Sequence, residues 1–135
     1  HGVTPERLRI IAPFRVLVAE ARTTCREHDP DRWTTEALDE RCATVHKAQG
    51  KEADVVILLL GGNRPGARAW AAQTPHLLNV AASRAKRRLY VIGDRALWAP
   101  LAHFDVLAAE LPPYDHVADR DTWPLDGPVP AEAPA

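Results

Sequence analysis

Short apolar runs alternate with amphipathic segments along most of this chain. Leu8-Arg9-Ile10-Ile11-Ala12 is a compact apolar run and predicts a strand. Pro13 follows, well placed to open a helix. In the next segment Phe14, Leu17, Val18, Ala21 and Cys25 recur at helical spacing, with Arg15, Arg22 and Arg26 opposite. Residues 42–45 predict a brief strand. Residues 54–60 are apolar without alternation, as expected of a strand covered on both faces, and Gly61-Gly62 ends the run. A short helix is expected over 66–72. Thr74 then offers an N-cap and Pro75 a first helical position for a helix whose apolar stripe is Leu78, Ala81, Ala82 and Ala85. Residues 88–92 predict a further buried strand, closed by Gly93-Asp94, and helices around 95–99 and 101–111 complete the pattern.

Strands alternating with helices predict an α/β domain: a central parallel sheet with helices on both faces. In such sheets ligands sit beyond the C-terminal ends of the strands. That puts the loops after residues 12, 45 and 60 at the expected working edge. The domain is expected over 1–111. Six of the 12 prolines fall at or after Pro112, so 112–135 reads as a Pro-rich acidic tail. From about residue 118 it lacks the apolar surface to order itself and is expected to be a flexible extension.

With 135 residues there is room for one ordinary domain, and 46% apolar with 26% charged residues is globular composition. No run approaches the ~18 apolar residues of a membrane span, and no secretory signal pattern is visible in the first residues given, so none is expected. Two cysteines are too few for a disulfide scaffold, so an intracellular, cytoplasmic setting is the expectation. The six histidines are scattered and no C-x-x-C occurs, so no bound metal is expected. The net charge of −1 conceals an asymmetry: residues 1–95 hold 16 Lys/Arg against 11 Asp/Glu, and the remainder holds Arg120 against 7 acids. Fourteen of the 17 cations are arginine, whose fork suits phosphate. An anionic partner, nucleic acid or nucleotide, accounts for this balance; so do solubility and an Arg-rich composition.

The chemistry begins with an absence. No G-x-x-x-x-G-K-[ST] occurs: Glu52 follows Gly50-Lys51, and Val45 stands in place of the first glycine. Asp39-Glu40 resembles a magnesium-holding acidic pair but follows Thr34-Thr35-Glu36 and not a buried strand. The parts that cradle a triphosphate and its metal are missing, so this chain alone should not hydrolyse ATP. The first positive signal spans Thr44 to Leu58. A strand end delivers Thr44 and His46, small donors able to hold a phosphate oxygen. A turn with Gln49 and Gly50 follows, glycine allowing close backbone approach to a ligand, and Glu52 can accept from sugar hydroxyls. An ordinary polar loop would carry the same residue types. The second signal runs from Leu77 to Asp94. Arg84, Lys86, Arg87 and Arg88 crowd five positions, and a helix C-terminus would favour such cations through its dipole. Arg84, near the apolar stripe, can be aimed at one anion such as a transferring phosphoryl group.

The segment TVHKAQGKEADVVIL (44–58) resembles motif V, and LLNVAASRAKRRLYVIGD (77–94) resembles motif VI, of superfamily 1 helicases. Closest in pattern is the group that includes the nonsense-mediated-decay RNA helicase and the eukaryotic replication helicase-nuclease. IIAPFR (10–15) resembles that group's motif IV, and order and spacing match over about residues 8–95. The resemblance implies the second RecA-like domain, with a P-loop NTPase fold, of a two-domain motor. ATP and Mg2+ would lie between it and an N-terminal RecA-like domain of the same parent, which supplies the phosphate loop and magnesium carboxylates. Arg84 maps to the arginine finger. Glu52 maps to the motif V glutamate at the nucleotide sugar, with Gly50 and Gln49 nearby, and Arg15 to an approach to the phosphate. Thr44, His46, Pro13 and Asn79 map to the surface that grips single-stranded nucleic acid, DNA or RNA; relatives often carry aspartate at the place of His46. Motifs I, Ia, II and III are absent, so the chain is expected to be one domain of a longer helicase. The alternative is a stand-alone, non-catalytic binding or adaptor domain that kept the fold.

Overall fold

The computed structural model describes residues 4–61, 64–74, 77–111, 113 and 132–134. After a single 3-10 turn at Pro5–Arg7 come β1 (Leu8–Ala12), α1 (Arg15–His28), α2 (Thr35–Arg41), β2 (Cys42–Thr44) and β3 (Ala53–Leu59). Then follow α3 (Pro65–Gln73), α4 (Leu77–Ser83), β4 (Ala85–Gly93), α5 (Arg95–Trp98), α6 (Phe104–Glu110) and β5 (Glu132–Pro134). The strands form one sheet in the order β2-β1-β3-β4-β5, and every neighbouring pair is parallel. This is the predicted α/β architecture, in keeping with a RecA-like fold.

The strand pleat sorts side chains to two faces. On one face Ile11, Val56, Leu58 and Val91 are buried with Ala71 of α3, Leu77 and Ala81 of α4, Trp98 of α5 and Phe104 of α6. On the other, Ile10 and Cys42 pack with Leu38 of α2 and with Val18, Ala21 and Cys25 of α1. Helices therefore cover both faces, but not equally. β3 is buried through Ala53, Val56 and Leu58, whereas Val55, Ile57 and Leu59 are only half-buried. The expectation that β3 is covered on both faces holds fully for one face. Past β3 the chain turns at Gly61, whose φ of +52° suits a residue without a Cβ. A Cβ there would also meet the end of Leu17 at 2.5 Å.

Several elements differ from the sequence reading. Pro13 and Phe14 precede α1, with Phe14 as its N-cap, so Pro13 does not open the helix. Thr74 is the C-cap of α3, and its hydroxyl donates back to the Trp70 carbonyl at 2.9 Å; Pro75 lies outside the described residues. Ala85 is not on the helix stripe but begins β4. The strand takes in Lys86, Arg87 and Arg88, all exposed. The dipole account of these cations therefore fails: the Ala53 amide donates to the Arg84 carbonyl at 2.9 Å, and ladder pairing with β3 starts at Ala85. Helix α2 carries Asp39 and Glu40, which confirms that this acidic pair does not end a strand. Glu132–Pro134, within the expected flexible tail, pairs with Val91–Gly93 as β5; residues 114–131 lie outside the described set.

Register fixes which residues share an edge. Thr44, Ala12 and Leu59 end their strands together, whereas Ala53 and Ala85 begin theirs side by side. At ~3.3 Å per residue the two edges are on the order of 20 Å apart.

Candidate functional site

At the N-terminal edge, β3 and β4 bring Glu52 and Arg84 together. Ala53 pairs with Ala85 and its amide donates to the Arg84 carbonyl, so Glu52 and Arg84, each the residue before its strand, share this edge although 32 positions separate them in sequence. Arg84 is half-buried. Its Nε donates to the Val80 carbonyl at 3.2 Å and Nη2 to Ser83 Oγ at 3.1 Å. Both contacts lie on its own helix, and no carboxylate pairs with it among the described residues. Glu52 is exposed and meets Lys86 Nζ at 3.8 Å. Beside it Asp54 accepts from Arg7 Nε at 2.9 Å, a bond that holds the Asp54 carboxyl below its usual range.

The segment 45–52 runs from one edge to the other. Val45 and Ala48 are buried and pin it to the core. The Val45 amide donates to Ala12, that of Ala48 to Thr44, and that of Lys51 to Ala48, all between 3.0 and 3.1 Å. Gly50 has φ +81° and nothing within 4 Å of a notional Cβ, so backbone conformation and not space calls for glycine here. His46, Lys47, Gln49 and Lys51 are exposed along the segment.

The C-terminal edge holds another group. Pro13 is buried at the end of β1, Thr44 is half-buried at the end of β2, and Arg15 is exposed in the first turn of α1. Arg15 shares a groove with Thr44 and Lys47 and does not lie beside Glu52 and Arg84. The predicted site residues therefore do not all share the strand C-terminal edge: register places the start of β4, and Arg84 with it, at the opposite end. Asn79 is exposed in α4.

Two features went unassigned in the sequence. Trp70 of α3 is 47% exposed and its ring lies 6.1 Å from that of Phe14, immediately after Pro13. A short helix over 66–72 was legible, but which of its residues the fold would leave uncovered was not. Arg9, in the middle of an apolar strand, is 3% exposed. Its signal was the charge itself, inside an otherwise apolar run.

No group of three or more His, Cys, Asp or Glu is placed to hold a metal among the described residues. Asp39 pairs with Arg22 and Glu40 with Arg9. Burial pushes the Cys42 thiol up to about 12 and raises that of Cys25, which favours the thiol over the thiolate. No described helix is long and apolar enough to cross a membrane.

Residues 1–96 match the family model described as AAA domain. A comparison with curated proteins finds no match.

Proposed function

The chain belongs to the AAA domain family, as a helicase-type domain, and from that premise we propose that it is the second RecA-like motor domain of a superfamily 1, ATP-dependent nucleic-acid helicase. The observation that supports this reading is that pairing of β3 with β4 puts Glu52 and Arg84 at the same sheet edge. A carboxylate suited to sugar hydroxyls and a guanidinium free of any described acid form half of a nucleotide site. They fit ATP only in company: Asp39 and Glu40 are engaged by arginines on α2's side of the sheet, and nothing described here offers a magnesium pair. ATP held against this edge by a phosphate-loop domain supplies the phosphoanhydride. On this chain Glu52 orients the sugar. Arg84 swings from Val80 and Ser83 to place positive charge where negative charge develops.

The strand-gripping surface lies at the far edge. Thr44 and His46 donate to backbone oxygens, which binds without reading sequence. Pro13 shapes the same edge, and the exposed ring of Trp70, braced on Phe14, gives a base a face to stack on. Asn79 adds a donor on α4. Domain closure on ATP would shift one edge relative to the partner domain and so move the strand at the other.

Two measurements test the halves separately. In a protein joining this domain to a phosphate-loop domain, Glu52→Ala is expected to weaken nucleotide binding by about 10- to 100-fold, the value of a hydrogen bond to a charged group, ~1.5–3 kcal/mol. Titration with a fluorescent nucleotide reads this, and an unchanged affinity removes the sugar contact. Trp70→Ala should cost about 1–3 kcal/mol of single-strand affinity, as one lost base stack. Fluorescence anisotropy with a homopolymer measures it, and equal affinity in the variant refutes the stacking role.

A further inference from the structure

β2 is the outer strand of the described sheet, and no described strand pairs with its far side. Along that open side runs a groove of about 530 Å³. One wall is a single face of α1: Arg15, Val18, Ala19 and Arg22 fall at i, i+3, i+4 and i+7. The other wall is the crossing segment, through Lys47 and Lys51, and the end of α2 closes the groove with Asp39 and Glu40. Thr44 lies at the end that opens on the C-terminal edge.

The charge balance is decided by who is already paired. Asp39 is taken by Arg22, and Glu40 lies against Arg9. The side chains of Arg15, Lys47 and Lys51 are exposed and make no ion pair or hydrogen bond among the described residues. Beneath them Arg9 is almost wholly buried. Its Nη1 donates to the Glu40 carbonyl at 2.7 Å, but Glu40 Oε1 is 3.9 Å away, and its Nε is buried without an acceptor. Burial lowers the Arg9 pKa, and Arg41 adds to the shift; an arginine nonetheless stays charged. The groove thus presents three uncommitted cations above a buried charge that is incompletely compensated, which is costly unless an anion shares the site.

We propose that this groove is a second track for the phosphodiester backbone of a single nucleic-acid strand, entered past Thr44, with Arg15, Lys47 and Lys51 pairing with its phosphates. The inference rests on the reading that a strand crosses the C-terminal edge, and it extends the strand's path off that edge and along β2. Guanidinium, ammonium and hydroxyl donors on two facing walls suit phosphate oxygens. Arg9 adds a fixed positive potential and does not itself reach the ligand, its Nε being covered.

The test is the salt dependence of binding by the 135-residue chain to a labelled homopolymer of about 15 nucleotides, near the upper end of what one strand-binding domain covers. Each lost phosphate contact removes ~0.7 from the slope of log K against log salt. The combined Arg15→Gln, Lys47→Gln and Lys51→Gln variant, all at exposed positions, should lose about 2 in slope. Arg87→Gln, at the other edge, should lose almost nothing. Circular dichroism confirms that the variants fold. A triple variant with the wild-type slope overturns the groove while leaving strand binding elsewhere intact. A wild-type chain that binds no homopolymer at low salt overturns strand binding and the groove together. If a glutamate peptide of equal charge displaces the homopolymer as readily as unlabelled strand does, the groove is a peptide site and the proposal fails.

Discussion

Replacing Arg84 by alanine, in a protein that pairs this domain with a phosphate-loop domain, is expected to slow ATP hydrolysis by roughly 10³–10⁵-fold with ATP binding largely kept. That range corresponds to about 4–7 kcal/mol of transition-state stabilisation. It is far more than the side chain contributes to the fold. Among the described residues the Arg84 side chain holds a carbonyl and a hydroxyl on its own helix, each bond worth ~1 kcal/mol net. Structural loss and catalytic loss therefore separate cleanly: melting of the variant should move little while turnover collapses. Arg84→Lys keeps the charge but not the fork, so its turnover should fall between the two. Steady-state hydrolysis and nucleotide titration on the same preparations measure both quantities. Normal turnover in the alanine variant would strip Arg84 of its role and favour a non-catalytic adaptor that kept the fold.

The second large effect is on stability. Trp98→Ala is expected to cost about 3–5 kcal/mol, a large share of the ~5–15 kcal/mol that holds a domain together. Trp98 is 2% exposed and its ring lies 4.7 Å from that of Phe104, so truncation opens a cavity where α5 and α6 meet the sheet. It also removes the bond from Nε1 to the Gly61 carbonyl at 2.9 Å, which ties α5 to the turn after β3. Trp98→Phe isolates that bond: it keeps most of the volume and should cost ~1 kcal/mol more than the lost area alone. Urea unfolding at neutral pH compares the three proteins. A loss under about 1 kcal/mol for the alanine variant would mean that α5 does not dock as described.

How much of this was legible in the sequence depended on how far each signal was local. β1 and β3 announced themselves as apolar runs, and the short helix expected over 66–72 is α3. α2 was missed because Leu38 is its one buried residue, too little to print a period. The first half of β4 was misread because a row of cations after a helix resembles a helix end; its true state is set by pairing with β3, a partner about 30 residues away. β5 contains a proline and no large apolar residue, so nothing in its composition marks it. Among the site residues, Glu52 and Arg84 were visible by type and spacing. That they share one edge, and that Arg15 and Thr44 share the other, is a matter of register, which no single segment encodes. Trp70 and Arg9 needed the packed molecule, since exposure and burial are properties of neighbours.

The segment that leaves Thr44 and arrives at Glu52 has a mechanical consequence. Two of its side chains, Val45 and Ala48, are sunk in the core, and its turns are stitched by main-chain bonds. Such a piece is braced along much of its length. Under the proposed function it is the connecting rod by which a push at one end of the sheet would be felt at the other.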